Sequence, residues 1–62
     1  MKLKEFMKKN RWSVTTLAKE MGVDRGTIYG YINRTHYPTP DNIDKLAKTL
    51  GISKKQVKDL LK

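Results

Sequence analysis

The side chains best suited to chemistry in this 62-residue sequence are cations and hydrogen-bond donors, and they gather where acids are missing. Arg25, Thr27, Tyr29, Asn33, Arg34, Thr35, His36 and Tyr37 fall in a stretch, residues 25–40, that contains no Asp or Glu. Over the whole chain 14 Lys and Arg stand against 6 Asp and Glu, a formal charge of +8. Such a balance makes a polyanion the expected partner, nucleic acid ahead of an anionic membrane. A guanidinium such as that of Arg25 can donate two hydrogen bonds to O6 and N7 of guanine, worth about 1–3 kcal/mol of discrimination. It could equally hold a phosphate or pair with neighbouring Asp24.

Covalent and metal chemistry find little to work with. With no cysteine and a single histidine, His36, neither a zinc finger nor a thiolate site can be assembled. The acids Glu5, Glu20, Asp24, Asp41, Asp44 and Asp59 are dispersed, Ser13 and Ser53 have capping roles, and there is no glycine-rich phosphate loop. No enzyme activity, cofactor, metal or small-molecule ligand is therefore expected. No apolar run approaches the roughly 20 residues of a membrane span, so a soluble, cytoplasmic chain is expected.

Positioning these groups falls to helices, whose starts are written as a repeated punctuation. An apolar residue, a capping residue and a second apolar residue recur as Trp12, Ser13, Leu17, as Val23, Asp24, Ile28 and as Ile52, Ser53, Val57. These are the N′, N-cap and N4 positions of a hydrophobic staple, and Gln56 completes a capping box with Ser53. A fourth start reads Thr39-Pro40-Asp41. Gly22 and Gly51 stand where a left-handed residue would end a helix. The spacing predicts five helices, at about 2–9, 14–21, 25–33, 40–50 and 54–61. Each carries one apolar stripe, and five short stripes can close on a single core. The expected fold class is all-α, a compact five-helix bundle, with residues 1–62 forming a single domain.

Residues 13–33 form two short helices joined by Gly22-Val23-Asp24, a helix-turn-helix pattern. Together with Leu17-Ala18-Lys19-Glu20-Met21-Gly22-Val23, Thr27-Ile28-Tyr29, Pro38 and Leu46-Ala47-Lys48-Thr49-Leu50-Gly51-Ile52-Ser53, it resembles the lambda repressor and Cro family. The resemblance covers nearly the whole chain. It implies that the second helix crosses the DNA backbone and the third lies in the major groove. The positions matching the family's base readers are Arg25, Gly26 and Gly30, with Thr27 and Tyr29 beside them.

Helical steps of about 100° place Gly26, Gly30 and Asn33 opposite Ile28, Tyr31 and Ile32. On that face the two glycines either let the helix sit deep in the groove or are simply tolerated, at about 1 kcal/mol each relative to alanine. Thr27 and Tyr29 could meet a thymine methyl or a phosphate. Phosphate contacts are expected from Arg11, Ser13 and the amides from Val14 onward at a helix start. The resemblance extends them to Asn33, Arg34, Thr35, His36 and Tyr37, although Tyr37 could instead pack on Pro38 or Pro40.

Two departures from the family pattern stand out. Relatives often carry an acid at the position of Ile32, paired with a base on the first helix, where this chain offers Ile32 and Met7 instead. Relatives commonly have glycine at the position of Arg34, so either Asn33 turns left-handed or the loop takes another path. Lys2, Lys4, Lys8 and Lys9 on the first helix and Lys54, Lys58 and Lys62 on the last read as solvated faces that raise non-specific affinity.

The function these features imply is sequence-specific binding of a double-stranded DNA operator by a Cro-like phage or mobile-element repressor. A homodimer through the C-terminal helix would place two recognition helices about 34 Å apart. The competing class is a protein-interaction module of the same fold, an antirepressor or antitoxin-like partner.

Overall fold

The computed structural model describes residues 2–62 and contains α1 (Leu3–Lys9), α2 (Val14–Met21), α3 (Arg25–Asn33), α4 (Pro40–Leu50) and α5 (Lys54–Leu60). Four of the five helices begin on a side-chain cap. Ser13 accepts the Thr16 amide, Asp24 the Thr27 amide and Thr39 the Asn42 amide, at 3.0, 2.9 and 3.3 Å. Ser53 and Gln56 exchange bonds in the expected capping box. Each cap answers one amide that the helix itself cannot satisfy. Lys2 precedes α1 without a side-chain cap.

The helix ends share one device. The amides of Trp12, Val23, Thr35 and Ile52 reach back to the carbonyls of Met7, Ala18, Gly30 and Ala47, at 2.7, 3.0, 3.0 and 3.0 Å. This six-residue closure requires a left-handed residue just before the donor. Gly22 and Gly51 fill that position after α2 and α4, both with φ of 71°. After α1 and α3 the same position is held by Arg11 and Arg34, with φ of 60° and 63°. The left-handed residue after α3 is thus Arg34 itself and not Asn33, and the loop keeps the path a glycine would give it.

The core lies where α2, α3, α4 and α5 meet. Leu17, Ile28, Leu46 and Val57, one from each, are completely enclosed. Trp12, Val23 and Ile52 pack half-buried against this cluster. They link each helix end to the next start across connections of four, three and three residues. α1 closes the bundle through buried Leu3 and Met7, packing on α3 and α5. Tyr31 ties α3 to α4, its phenol oxygen accepting from the Asn42 side-chain Nδ2 at 3.0 Å. Leu60 and Leu61 are buried in the same core. Among the described residues no helix is long and apolar enough to cross a membrane.

Candidate nucleic-acid interface

The α2–turn–α3 unit presents its polar side through a small number of fixed points. Arg25 and Gly26 are exposed in the first turn of α3, Tyr29 is 52% exposed one turn on, and Asn33 is exposed at the end. The start of this helix is tightly organised. Asp24 Oδ1 accepts both the Thr27 amide, at 2.9 Å, and the Thr27 hydroxyl, at 2.6 Å. The hydroxyl bond, followed by the amide bond, holds the Asp24 carboxyl below its usual range, so the group is ionised at neutral pH. The single proton of the Thr27 hydroxyl is committed to that carboxylate, leaving Thr27 only a methyl and an acceptor lone pair to offer outward.

Arg25 is not drawn into this cluster. Among the described residues the ion pairs are Asp44 with Lys48 and Lys54, at 3.2 and 3.6 Å, and Asp59 with Lys62 at 3.4 Å. All three lie on α4, the α4–α5 side or the end of α5. The Lys48 ammonium, hydrogen-bonded to Asp44, is the main reason that carboxyl is also held below its usual range. Negative charge is therefore partly neutralised on α4 and α5, while Arg25 is without an acidic partner among the described residues.

Two further groups flank α3. At the start of α2 the Ser13 hydroxyl both accepts the Thr16 amide and donates to Thr16 Oγ1 at 2.8 Å. That leaves the amides of Val14 and Thr15, which have no acceptor within the helix, as the natural anion donors. Val14 lines the same surface groove as Tyr29, Asn33 and Arg34, so the start of α2 and the end of α3 share one concave face. Exposed Arg11 precedes α2 in its left-handed conformation. At the other flank Arg34, Thr35, His36 and Tyr37 are all exposed. Tyr37 is 63% exposed, while Pro38 beside it is buried.

A helix-turn-helix family model matches residues 3–57 of the chain. The chain belongs to the Cro/C1-type helix-turn-helix family. It is a DNA-binding helix-turn-helix regulator of that all-α class. Neither the curated proteins nor the solved structures give a match to it.

For this Cro/C1-type chain one expected position must be corrected. Gly30, which helical steps place on the open face beside Gly26, is buried. The loop after α3 folds back over it: the amides of Thr35 and His36 both donate to the Gly30 carbonyl, and the His36 ring lies against its Cα. A methyl group at residue 30 would overlap His36 Cδ2. The His36 ring and the loop backbone, not open solvent, cover Gly30, so its place is not the open face that helical steps predict. Gly26 differs, since a Cβ there would meet nothing closer than Asp24 Oδ1 at 3.7 Å.

Two site features escape sequence reasoning. Nothing in residue order shows that the Thr27 hydroxyl turns to Asp24, although the Asp-x-x-Thr spacing is the signal that could have raised it. The groove shared by α1 and α3 is the other. Half-buried Trp12, Val14 and Ile32 line it.

Proposed function

We propose that this regulator binds double-stranded DNA sequence-specifically and represses transcription by occupying an operator, as a Cro-like phage or mobile-element protein acting in the cytoplasm. The observation that carries the reading is the start of α3: exposed Arg25 without an acidic partner, followed by exposed Gly26, on a rigidly capped helix end. In this reading Arg25 donates to guanine O6 and N7, while Gly26 lets the backbone come close. Thr27, its proton spent on Asp24, offers its methyl to thymine, and Tyr29 reaches a base or the adjacent sugar. Val14 and Thr15 amides with Ser13 and Arg11 hold one backbone segment, and Asn33, Arg34, Thr35, His36 and Tyr37 hold another.

The residues 1–62 act as one domain in this scheme. The homodimer through α5 draws no support from packing, because Leu60 and Leu61 are used by the core and α5 turns mainly lysines outward. The chain is a monomer in solution and pairs on adjacent half-sites of DNA. Selection of bound sequences from a random duplex pool at about 0.15 M salt tests both points. Enrichment of a motif containing guanine supports specific readout, and a palindrome with half-sites about 34 Å apart would restore the dimer. Folded protein that enriches no motif would sink the reading and favour a protein-binding module.

A further inference from the structure

We propose that the groove between α1 and α3 binds an acidic, amphipathic helical segment of a protein partner, and that its occupation excludes DNA. The second half of this statement rests on the DNA-binding face proposed above; the first does not. The groove encloses about 640 Å³, within the range of about 300–1,000 Å³ typical of ligand clefts. Trp12, Val14 and Ile32 line it, all three apolar and only half-buried. Its rim carries exposed Lys4, Lys8 and Arg34, none of which has an ion-pair partner among the described residues, against the single acid Glu5.

Both halves of that lining demand an occupant of mixed character. A sugar–phosphate backbone would satisfy the cations but leave the apolar floor facing polar groups. A second copy of a chain of charge +8 would bring like charge to the rim. An amphipathic helix meets both conditions, with apolar anchors at i, i+3, i+4 and i+7 on the floor and carboxylates on its flanks reaching the rim. Tyr29, Asn33 and Arg34 also line the groove. A segment lying there covers the residues that would grip DNA, so binding of one ligand is release of the other.

The probe is a synthetic 14-residue peptide of Leu and Glu with all leucines on one helical face, compared with a peptide of the same composition whose leucines are scattered. Trp12 is the sole tryptophan of the chain, so its emission reports occupancy without DNA present. The amphipathic peptide should shift that emission and release a labelled duplex carrying the selected site; the scattered one should do neither. Ile32→Ala and the Lys4→Ala/Lys8→Ala pair should each weaken the peptide about tenfold. Lys45→Ala/Lys58→Ala, which removes the same charge away from the groove, should leave it unchanged. Equal binding of both peptides, or equal losses in the two double-lysine variants, reduces the effect to net charge and overturns the proposal. Peptide bound with duplex still held overturns the exclusion. Duplex weakened by Lys4→Ala/Lys8→Ala with no peptide response at Trp12 assigns the groove to the DNA backbone and overturns it too. If the duplex fails to bind at all, the DNA reading and the exclusion fall, while the Trp12 titration still decides the groove. Lys4 and Lys8 are exposed, so that pair keeps the test sharp should Ile32→Ala fail to fold.

Discussion

Substituting Arg34 by glycine and by alanine separates the strain this residue stores from the charge it carries. Arg34 has φ of 63° at the left-handed position that ends α3, where an L-residue with a Cβ costs about 1–2 kcal/mol. Glycine removes that cost but gains freedom in the unfolded chain worth about 0.4–1 kcal/mol, leaving a net advantage over alanine of about 0.5–1 kcal/mol. In a domain of this size about 1 kcal/mol moves the melting midpoint by roughly 4–8 °C, so Arg34→Gly should melt about 2–8 °C above Arg34→Ala. Both variants lose the same cation at the end of α3, so its favourable interaction with the helix dipole cancels between them. In DNA binding the two should be alike. Each loses one phosphate contact and lowers the slope of log K against log salt by about 0.9. Paired thermal melts and salt titrations on one duplex settle the matter. An alanine variant as stable as the glycine variant would refute the strain argument, and an unchanged salt slope would remove Arg34 from the phosphate contacts.

Gly30→Ala should destabilise the protein by about 1 kcal/mol, because overpacking against His36 at about 1–3 kcal/mol outweighs the helix gain of about 1 kcal/mol. The same change in a His36→Ala background should stabilise it, and calorimetry of the four-member cycle measures the coupling. Asn42→Ala should cost about 0.5–1.5 kcal/mol by leaving the Tyr31 phenol without its donor, and Tyr31→Phe should remove most of that effect in a chemical denaturation series. Arg25→Ala should relax preference at one base pair and weaken specific binding by about 1–3 kcal/mol with little change in melting temperature, read by competition with single-site operator variants. Asp24 and Asp44 have carboxyls lowered in the folded state, so the stability they add is present above the unfolded value near 3.8 and is lost as pH falls through their lower folded values. Asp24→Asn/Asp44→Asn should therefore flatten the acid limb of the melting profile, and an unchanged limb would refute that assignment.

Four of the five helix starts were legible because they are encoded locally, by Ser13, Asp24 and Ser53 between apolar residues at fixed spacing and by Thr39 before Pro40 and Asp41; α1, which starts after Lys2, has no such cap. The ends of α1 and α3 also fall where expected, at residues 9 and 33, but the left-handed turn that closes a helix was legible only where glycine marks it. At Gly22 and Gly51 the residue type announces the left-handed turn, whereas Arg11 and Arg34 adopt the same turn against their own preference. The bond back to the previous helix enforces it at both, the packing of Trp12 adds to it after Arg11, and neither is visible in residue order. The misplacement of Gly30 has a similar origin. Helical steps place a residue relative to its own axis, but the surface over residue 30 is covered by a loop that leaves the helix and returns. Tyr31, by contrast, was correctly given to the core, since its neighbours Ile28 and Ile32 already define that face.

The histidine seated on Gly30 also bears on how this protein can change its preferences over evolutionary time. Residues 25, 26 and 29 are open, and substitution there can alter what α3 touches while the bundle stays intact. Residue 30 is not available in the same way. Any side chain introduced there must first displace the His36 ring, while the two backbone amides can go on fastening the loop to the end of α3. A new reading head at that position is therefore favoured by a paired change, one in the helix and one in the loop. Single mutations explore specificity at least cost to the fold from the open residues 25, 26 and 29.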